Sequence, residues 1–158
     1  MHTWIFLTGI GATATMDVWA LVRRRLFSTP LPNYALVGRW VGRMFQGEFR
    51  QRAIAKTTPV RGELVIGWTA HYLIGISFAA LMPLLRGHAW IEQPTLIPAL
   101  LVGLGTVLAP LFVMQPAMGA GFASSRMPRP GAARLQSIVN HGFFGLGIYL
   151  TALIQARA

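Results

Sequence analysis

Four apolar stretches, each about 20 residues long, dominate the sequence and limit what it can fold into. They run from Thr3 to Val22, from Leu64 to Leu85, from Thr95 to Met114 and from Leu135 to Gln155. A bilayer core of about 30 Å needs about 20 apolar residues in a helix, and a helix satisfies its own backbone polar groups in lipid. The pattern therefore predicts an all-α, polytopic membrane protein: a four-transmembrane-helix bundle that forms a single membrane domain.

The composition agrees with a membrane location. Charged residues make up only 11% of the 158 residues, and the mean hydropathy is +0.52. A soluble domain carries about 25% charged residues, so this chain lacks the polar surface to face water on all sides. The absence of cysteine from the sequence excludes disulfides, thiolate metal sites and cysteine nucleophiles.

The first apolar stretch has one feature of a secretory signal peptide, because Ala12, Thr13 and Ala14 resemble a cleavage site. However, no Lys or Arg precedes the stretch, and Arg23, Arg24 and Arg25 follow it directly. We therefore expect a retained membrane helix.

The placement of Lys and Arg predicts the orientation of the spans. The loop between the first two spans holds nine of them, the loop between the last two holds three, and the opposite side holds only Arg86 and Arg157. Lys and Arg are retained on the cytoplasmic side of a membrane. We expect both long loops to be cytoplasmic and both termini to lie on the opposite, outer side of the membrane.

The net charge of +10 indicates contact with a lipid bilayer rather than binding to a nucleic acid. Most of the charge lies in the loops, and the short basic run Arg23–Arg25 directly adjoins a span. Basic loops beside a membrane attract anionic lipid head groups. We therefore expect the basic first loop to contact anionic lipids, and we expect no nucleic acid.

The first loop contains a short amphipathic segment, residues 34–45. Its apolar residues form one helical stripe, from which Arg39 and Arg43 fall away. This pattern is typical of a helix that lies flat at the membrane interface, where it could serve as an anchor or as a gate. The stripe consists of Val37, Trp40, Val41, Met44 and Phe45.

Small residues at a spacing of four indicate which faces of the spans pack together. In lipid, small residues let two helix backbones approach closely. We therefore expect these faces to point inward, and we expect Pro98 and Pro110 to kink the third span. The small-residue faces consist of Gly67, His71, Gly75 and Ala79 in the second span and Ser137, His141 and Gly145 in the fourth.

The two halves of the chain share short motifs. His71 and His141 each begin the pattern His-x-x-x-Gly, and Gly9-Ile-Gly11 resembles Gly103-Leu-Gly105. These matches indicate a weak repeat of two helices. Chance similarity between glycine-rich membrane helices is the alternative.

Polar side chains of all four spans fall at similar depths. At 1.5 Å per residue, Asp17 lies about 8 Å and the two histidines lie roughly 9–11 Å from the cytoplasmic ends of their helices. Ionisable groups inside a membrane usually face the protein interior and are paired. We therefore predict a polar pocket on the cytoplasmic side. Its candidate residues are Thr13, Asp17, His71, Gln115, Asn140 and His141.

The candidate pocket permits several chemistries. A pair of Asp17 with His71 or His141 could carry a proton, bind a cationic ligand or support a metal, but it could also serve only to fix the packing. Haem or a divalent metal could bind at His71 and His141, yet no further cofactor signature is present, so we expect no cofactor. We expect Ser124 and Ser125 to belong to a loop rather than to a phosphate site.

Several segments together resemble a known family. They include G-A-T-A-T-M-D-V-W (11–19), G-W-T-A-H-Y-L-I-G (67–75), M-Q-P-A-M-G-A-G-F-A-S-S (114–125) and N-H-G-F-F-G-L-G-I-Y-L (140–150). The chain resembles a bacterial family of small four-span inner-membrane proteins, a domain of unknown function. This resemblance implies a membrane location and a bacterial source, but no activity.

Three functions remain open on the sequence alone. The first is binding or translocation of a small solute or proton at the polar pocket, with a homodimer as one arrangement. The second is a non-catalytic accessory or scaffold protein, and the third is a membrane enzyme that uses Asp17 and a histidine as an acid–base pair.

Overall fold

The computed structural model describes residues 1–157, and all its regular elements within that range are helical. This confirms the predicted all-α fold. Short 3-10 turns lie at Ile54–Lys56 and Phe122–Ser124, and a π-helical segment lies at Pro110–Met114. The α-helices are α1 (His2–Phe27), α2 (Tyr34–Met44), α3 (Glu63–Ala79), α4 (Leu81–Arg86), α5 (His88–Glu92), α6 (Leu96–Gly105), α7 (Gln115–Met118) and α8 (Pro130–Gln155).

Four helical stretches are long and apolar enough to cross a membrane, as predicted. They are His2–Phe27, Glu63–Arg86, Leu96–Met118 and Pro130–Gln155. The first, second and fourth contain the predicted spans and extend beyond them, whereas the third begins one residue later than predicted, at Leu96, and continues four residues further. Helix α1, for example, continues through its arginines, which are good helix formers and favour the negative end of the helix dipole.

Prolines explain the breaks in two of these stretches. Pro83 lacks an N–H and its ring crowds the carbonyl of Ala79, where α3 ends. Pro110 begins the π-helical segment, so the hydrogen-bond pattern of the helix changes at this position, and the kink predicted there stays a prediction. The prediction for Pro98 was wrong, because Pro98 lies in the first turn of α6, where no intrahelical N–H bond is lost.

Contacts divide the chain into two compact units. The first comprises Met1–Leu31, Tyr72–Thr106 and the stretch from Ile138 onward, and the second comprises Pro32–His71 and Val107–Ser137. Helices α3 and α8 each supply residues to both units.

In the first unit, α1 and α8 pack antiparallel. Near the start of α1, Thr8 accepts a hydrogen bond from Gln155 at the end of α8. Further along α1, the ring of Trp19 stacks on that of Phe143, which lies earlier in α8, with the centroids 4.1 Å apart. A cluster of buried apolar residues forms the hydrophobic core of this unit, which suits helices that associate by packing. It consists of Trp4, Ala12, Met82, Trp90, Ala99, Phe144, Ile148 and Ala152.

Glycines bring the helices of the first unit into backbone contact. A Cβ added to Gly9 would overlap the backbone of Ile76 in α3, and one added to Gly103 would lie 2.8 Å from the carbonyl oxygen of His141 in α8. Gly145 is equally close to α6, with Ala99 O at 2.7 Å from such a Cβ. These contacts confirm that the small-residue faces point inward.

In the second unit, α2 packs on the first turns of α3 through glycine. A Cβ on Gly38 would overlap the carbonyl of Glu63, and one on Gly67 would overlap the carbonyl of Tyr34. Beside this contact, Arg39 makes a two-point ion pair with Glu63, with both N–O distances 2.8 Å. A backbone contact and a bidentate ion pair therefore fix the angle between the two helices.

Helix α2 exists as predicted, and Arg39 lies away from its apolar stripe, as predicted. Arg39 is only 9% exposed and belongs to the packed face together with Gly38 and Gly42. The apolar stripe lies on the other side of the helix and is only half-buried, and Phe45 at its end is 88% exposed. Hydrophobicity alone identified the stripe, but close packing selected the glycine face, where the backbones can touch.

Candidate functional site

Asp17 lies on α1 in the first unit, within a membrane-spanning stretch. Its Oδ2 atom accepts a hydrogen bond from the Tyr72 hydroxyl of α3 at 3.1 Å. Both side chains are half-buried. Their bond joins two spans through a carboxylate and a phenol, both of which can exchange a proton.

Thr13, one turn from Asp17 on α1, is buried and fully engaged in packing. Its hydroxyl donates to the Gly9 carbonyl at 2.7 Å, and its Oγ1 atom occupies the space beside Gly75 that a Cβ there would need. Thr13 therefore helps to set the distance between α1 and α3, which in turn places Asp17 beside Tyr72.

His141 is held by α6. Its Nδ1 atom lies 2.8 Å from the hydroxyl oxygen of Thr106, and that hydroxyl also lies 2.6 Å from the Gly103 carbonyl. Because the hydroxyl has one proton and the carbonyl can only accept, we assign the proton between Thr106 and His141 to Nδ1. Acid–base chemistry at this histidine is then assigned to Nε2.

The registers of the helices place Asp17 and His141 near one another along the axis of the first unit. Trp19 of α1 lies beside Phe143 of α8, so Asp17, two residues earlier in α1, is level with Gly145 of α8. Gly145 is four residues from His141, which corresponds to about 6 Å along the helix axis. The neighbouring Asn140 has a buried Oδ1 atom that accepts no hydrogen bond from any residue the structure describes. Three predicted polar residues thus lie toward the same end of this unit.

His71 belongs to an aromatic group in the second unit. Its Nε2 atom lies 2.9 Å from the Tyr34 hydroxyl, and the two rings stack with their centroids 4.3 Å apart. The Trp68 ring meets the Tyr34 ring at 4.3 Å and the imidazole edge-on at 5.9 Å. Contact between α2 and α3 thus holds the imidazole in a fixed orientation.

Gln115 serves the loop that follows α7. The Ser124 hydroxyl donates to Gln115 Oε1 at 2.7 Å, and Ser124 is fully buried. Ala123 and Ser124 both have positive φ angles, of 47° and 61°. Because its hydroxyl is engaged in holding a tight turn, Ser124 is a loop residue, as expected.

The structure adds three partners that the sequence analysis missed: Tyr72 for Asp17, Tyr34 for His71 and Thr106 for His141. For two of them the sequence contains a weak signal. Tyr72 directly follows His71, and Thr106 directly follows the Gly-x-Gly motif, but helix-to-helix register is needed to assign the partner. The predicted pairing of Asp17 with a histidine stays a prediction.

The sequence comparison identifies the family. A family model described as "Protein of unknown function (DUF2938)" matches residues 6–155. The chain belongs to this family. No curated protein and no solved structure matches it. The predicted membership of a family of unknown function is therefore confirmed, and DUF2938 brings no assigned activity with it.

Within residues 1–157 of this DUF2938 chain, no three His, Asp or Glu side chains are grouped so that they could hold a metal ion. The expectation of no cofactor stays a prediction.

Outside the spans, one ion pair shapes the first loop. The Arg43 guanidinium and then the Gln51 amide bond to Glu48 and hold the pKa of that carboxyl below its usual range. This contact lies just beyond α2 and fastens the segment that follows it.

Proposed function

We propose that this DUF2938 protein is a multi-pass membrane protein that takes up and releases a proton at Asp17, either to pass the proton on or to bind a small protonatable solute. The hydrogen bond from Tyr72 to Asp17, between two spans, is the observation that carries the proposal. Ionisable residues inside membrane spans are costly and commonly mark proton or solute paths.

The Asp17–Tyr72 pair suits proton uptake because it can persist in both protonation states. The phenol donates to the carboxylate when Asp17 is ionised, and it can accept from the carboxyl O–H when Asp17 is protonated. The His141 imidazole, which Thr106 fixes and whose level along the axis differs from that of Asp17 by about one turn, would supply a second proton carrier. We include Asn140 and Thr13 as residues of the same unit that shape the site, and the membership of His71 and Gln115 stays a prediction from the sequence.

The direction of the site follows from the charge pattern. Twelve of the fourteen Lys and Arg residues lie in the two long loops. With those loops cytoplasmic, in a bacterial inner membrane, Asp17 would exchange protons with the cytoplasm and both termini would be periplasmic. The same basic first loop would contact anionic lipid head groups.

Infrared spectroscopy of the reconstituted protein tests the proposal directly. The chain has only four Asp and Glu residues, so the protonated-carboxyl band of Asp17 can be assigned by its loss in Asp17→Asn. We expect this band to titrate with pH, and we expect Tyr72→Phe to shift its frequency because one hydrogen bond is lost.

The matched control is Glu92→Gln, the same acid-to-amide change at a 70% exposed side chain. It should leave the Asp17 band unchanged. If Asp17→Asn removes no titrating band, or if it fails to insert and fold while Glu92→Gln succeeds, the Asp17 pair is structural and the proposed function is wrong.

The exposed apolar end of α2 favours a second candidate, an accessory or anchoring role. Phe45 and Phe49 are 88% and 62% exposed, so this segment can bury aromatic area against lipid or a partner protein. Replacing both by Ser should abolish membrane or partner association of that segment without affecting the Asp17 band. Size-exclusion chromatography with light scattering would show in the same samples whether the protein is a homodimer.

A further inference from the structure

Arg23 is a buried cation for which the chain supplies no hydrogen-bond acceptor. The residue is only 6% exposed, and its Nε, Nη1 and Nη2 atoms are all shielded. No residue among 1–157 accepts a hydrogen bond from any of them. Its neighbours Arg24 and Arg25, by contrast, are exposed. An arginine stays charged under all ordinary conditions, so this charge needs a counter-charge.

The position of Arg23 follows from the packing of the first unit. Thr8, Ala12, Thr15 and Trp19 form the line of α1 that meets α8, through Gln155, Gly147 and Phe143. Arg23 is the next residue on that line, one turn after Trp19. The antiparallel register therefore places it level with residues 138–140 of α8.

Two further buried polar atoms belong to residues at about this level of α1 and α8. The indole Nε1–H of Trp19 has no acceptor among the described residues. The side-chain carbonyl oxygen of Asn140 has no donor among them. An amide carbonyl can accept one N–H from the guanidinium, but it is neutral and cannot balance the charge. Within residues 1–157 at this level, the unpaired N–H groups of Arg23 and Trp19 outnumber the single unpaired acceptor, Asn140 Oδ1. The positive charge of the guanidinium also remains unbalanced.

We propose that Arg23 and Trp19 bind a phosphate-type oxyanion, either the phosphodiester of an anionic phospholipid or inorganic phosphate. The planar guanidinium fork matches two phosphate oxygens, and the indole N–H can donate to a third. Arg24 and Arg25 raise the local positive potential and attract anions to this end of α1. The site is separate from the Asp17 carboxylate and does not depend on the proposed proton function.

Native mass spectrometry in mild detergent provides the lipid test. We expect the wild type to retain one phosphatidylglycerol and no phosphatidylcholine when each is added separately. Arg23→Gln should weaken retention at least tenfold, whereas Arg24→Gln, the same change at the exposed neighbour, should stay within about twofold, as surface charges contribute little. Trp19→Phe keeps a ring to stack on Phe143 but removes the indole donor, so it should weaken retention severalfold.

A thermal-shift titration of the delipidated protein with inorganic phosphate provides the second arm. If phosphate raises the transition temperature of the wild type but not of Arg23→Gln, and phosphatidylglycerol is not retained, the ligand is a soluble phosphate. If only phosphatidylglycerol acts through Arg23, the ligand is a lipid. Either result supports the oxyanion site.

Two results would overturn the proposal. The first is binding of both probes that is equal in wild type and Arg23→Gln. The second is unfolding of Arg23→Gln in detergent free of both probes, which would show that the chain itself supplies the missing partner. Asp17→Asn should leave phosphatidylglycerol retention unchanged, so failure of the proton function and failure of the anion site can be told apart.

Discussion

The contact between α2 and α3 predicts that Gly67→Ala will be strongly destabilising. A Cβ at position 67 would lie 2.7 Å from the carbonyl carbon of Tyr34 and still closer to its oxygen. Carbon atoms in contact stay about 3.5 Å apart, so clearing the carbonyl carbon alone requires α2 to retreat from α3 by about 1 Å, and clearing its oxygen requires more. The obstructing atoms are backbone, and no side-chain rotation can relieve the clash.

The magnitude follows from two opposing terms. Overpacking costs about 1–3 kcal/mol, and backbone-to-backbone overlap places Gly67→Ala at about 3 kcal/mol. Alanine in place of glycine returns up to about 1 kcal/mol of helix propensity. The net loss is about 2 kcal/mol, or roughly thirtyfold in the unfolding constant.

Unfolding by SDS in mixed micelles, followed by circular dichroism, measures this loss. The matched control is Gly105→Ala, because a Cβ there meets nothing within 4 Å. This variant gains the higher helix propensity of alanine without any steric clash, so it should be neutral or stabilising. Nitrogen-15 shifts of His71 should also change in Gly67→Ala, since the shift of α2 stretches the 2.9 Å contact with Tyr34. If the two glycine variants were equally stable, the close approach of α2 and α3 would be refuted.

Three further predictions concern polar contacts. Tyr72→Phe should leave the fold intact and alter only the Asp17 carboxyl band, as seen by infrared spectroscopy. Thr106→Val should destabilise the protein by about 1–2 kcal/mol, because His141 Nδ1 and the Gly103 carbonyl both lose the hydroxyl; SDS unfolding and histidine nitrogen-15 shifts would detect this, and unchanged His141 shifts would contradict it. The pKa of Glu48 is lowered in the fold, so its stabilisation is present above the ordinary carboxyl range and is lost as the pH falls through the lowered value. The protection of backbone amides near residue 48 from hydrogen exchange, relative to their intrinsic exchange rates, should therefore fall only at acid pH. Glu48→Gln should remove that dependence.

Hydrophobic length and glycine spacing were sufficient to predict the helices and their inward faces. Length decides whether a stretch can span a bilayer, and Gly67, Gly75 and Gly145 all lie where helix backbones meet. Side-chain pairing was less predictable. Arg39 fell outside the apolar stripe of α2, and only the approach of α3 brings it to Glu63. The start of α6 was predicted to within one residue, but the kink assigned to Pro98 neglected that a proline in the first turn removes no intrahelical N–H bond.

The glycine contacts also explain why short side chains can form the polar pairs of the first unit. Gly75 lies one turn from Tyr72, and Gly145 lies one turn from His141. Thr106 has a hydroxyl only one carbon away from its backbone, so it can reach His141 only because Gly103 and Gly145 bring α6 against α8. Asp17 likewise reaches Tyr72 beyond the contact of Thr13 with Gly75. The two helix pairs use corresponding glycines, as the predicted repeat requires, although the repeat itself stays a prediction. Packing and polar chemistry are therefore coupled: a larger residue at Gly75 or Gly145 should separate the polar partners before it unfolds the helices.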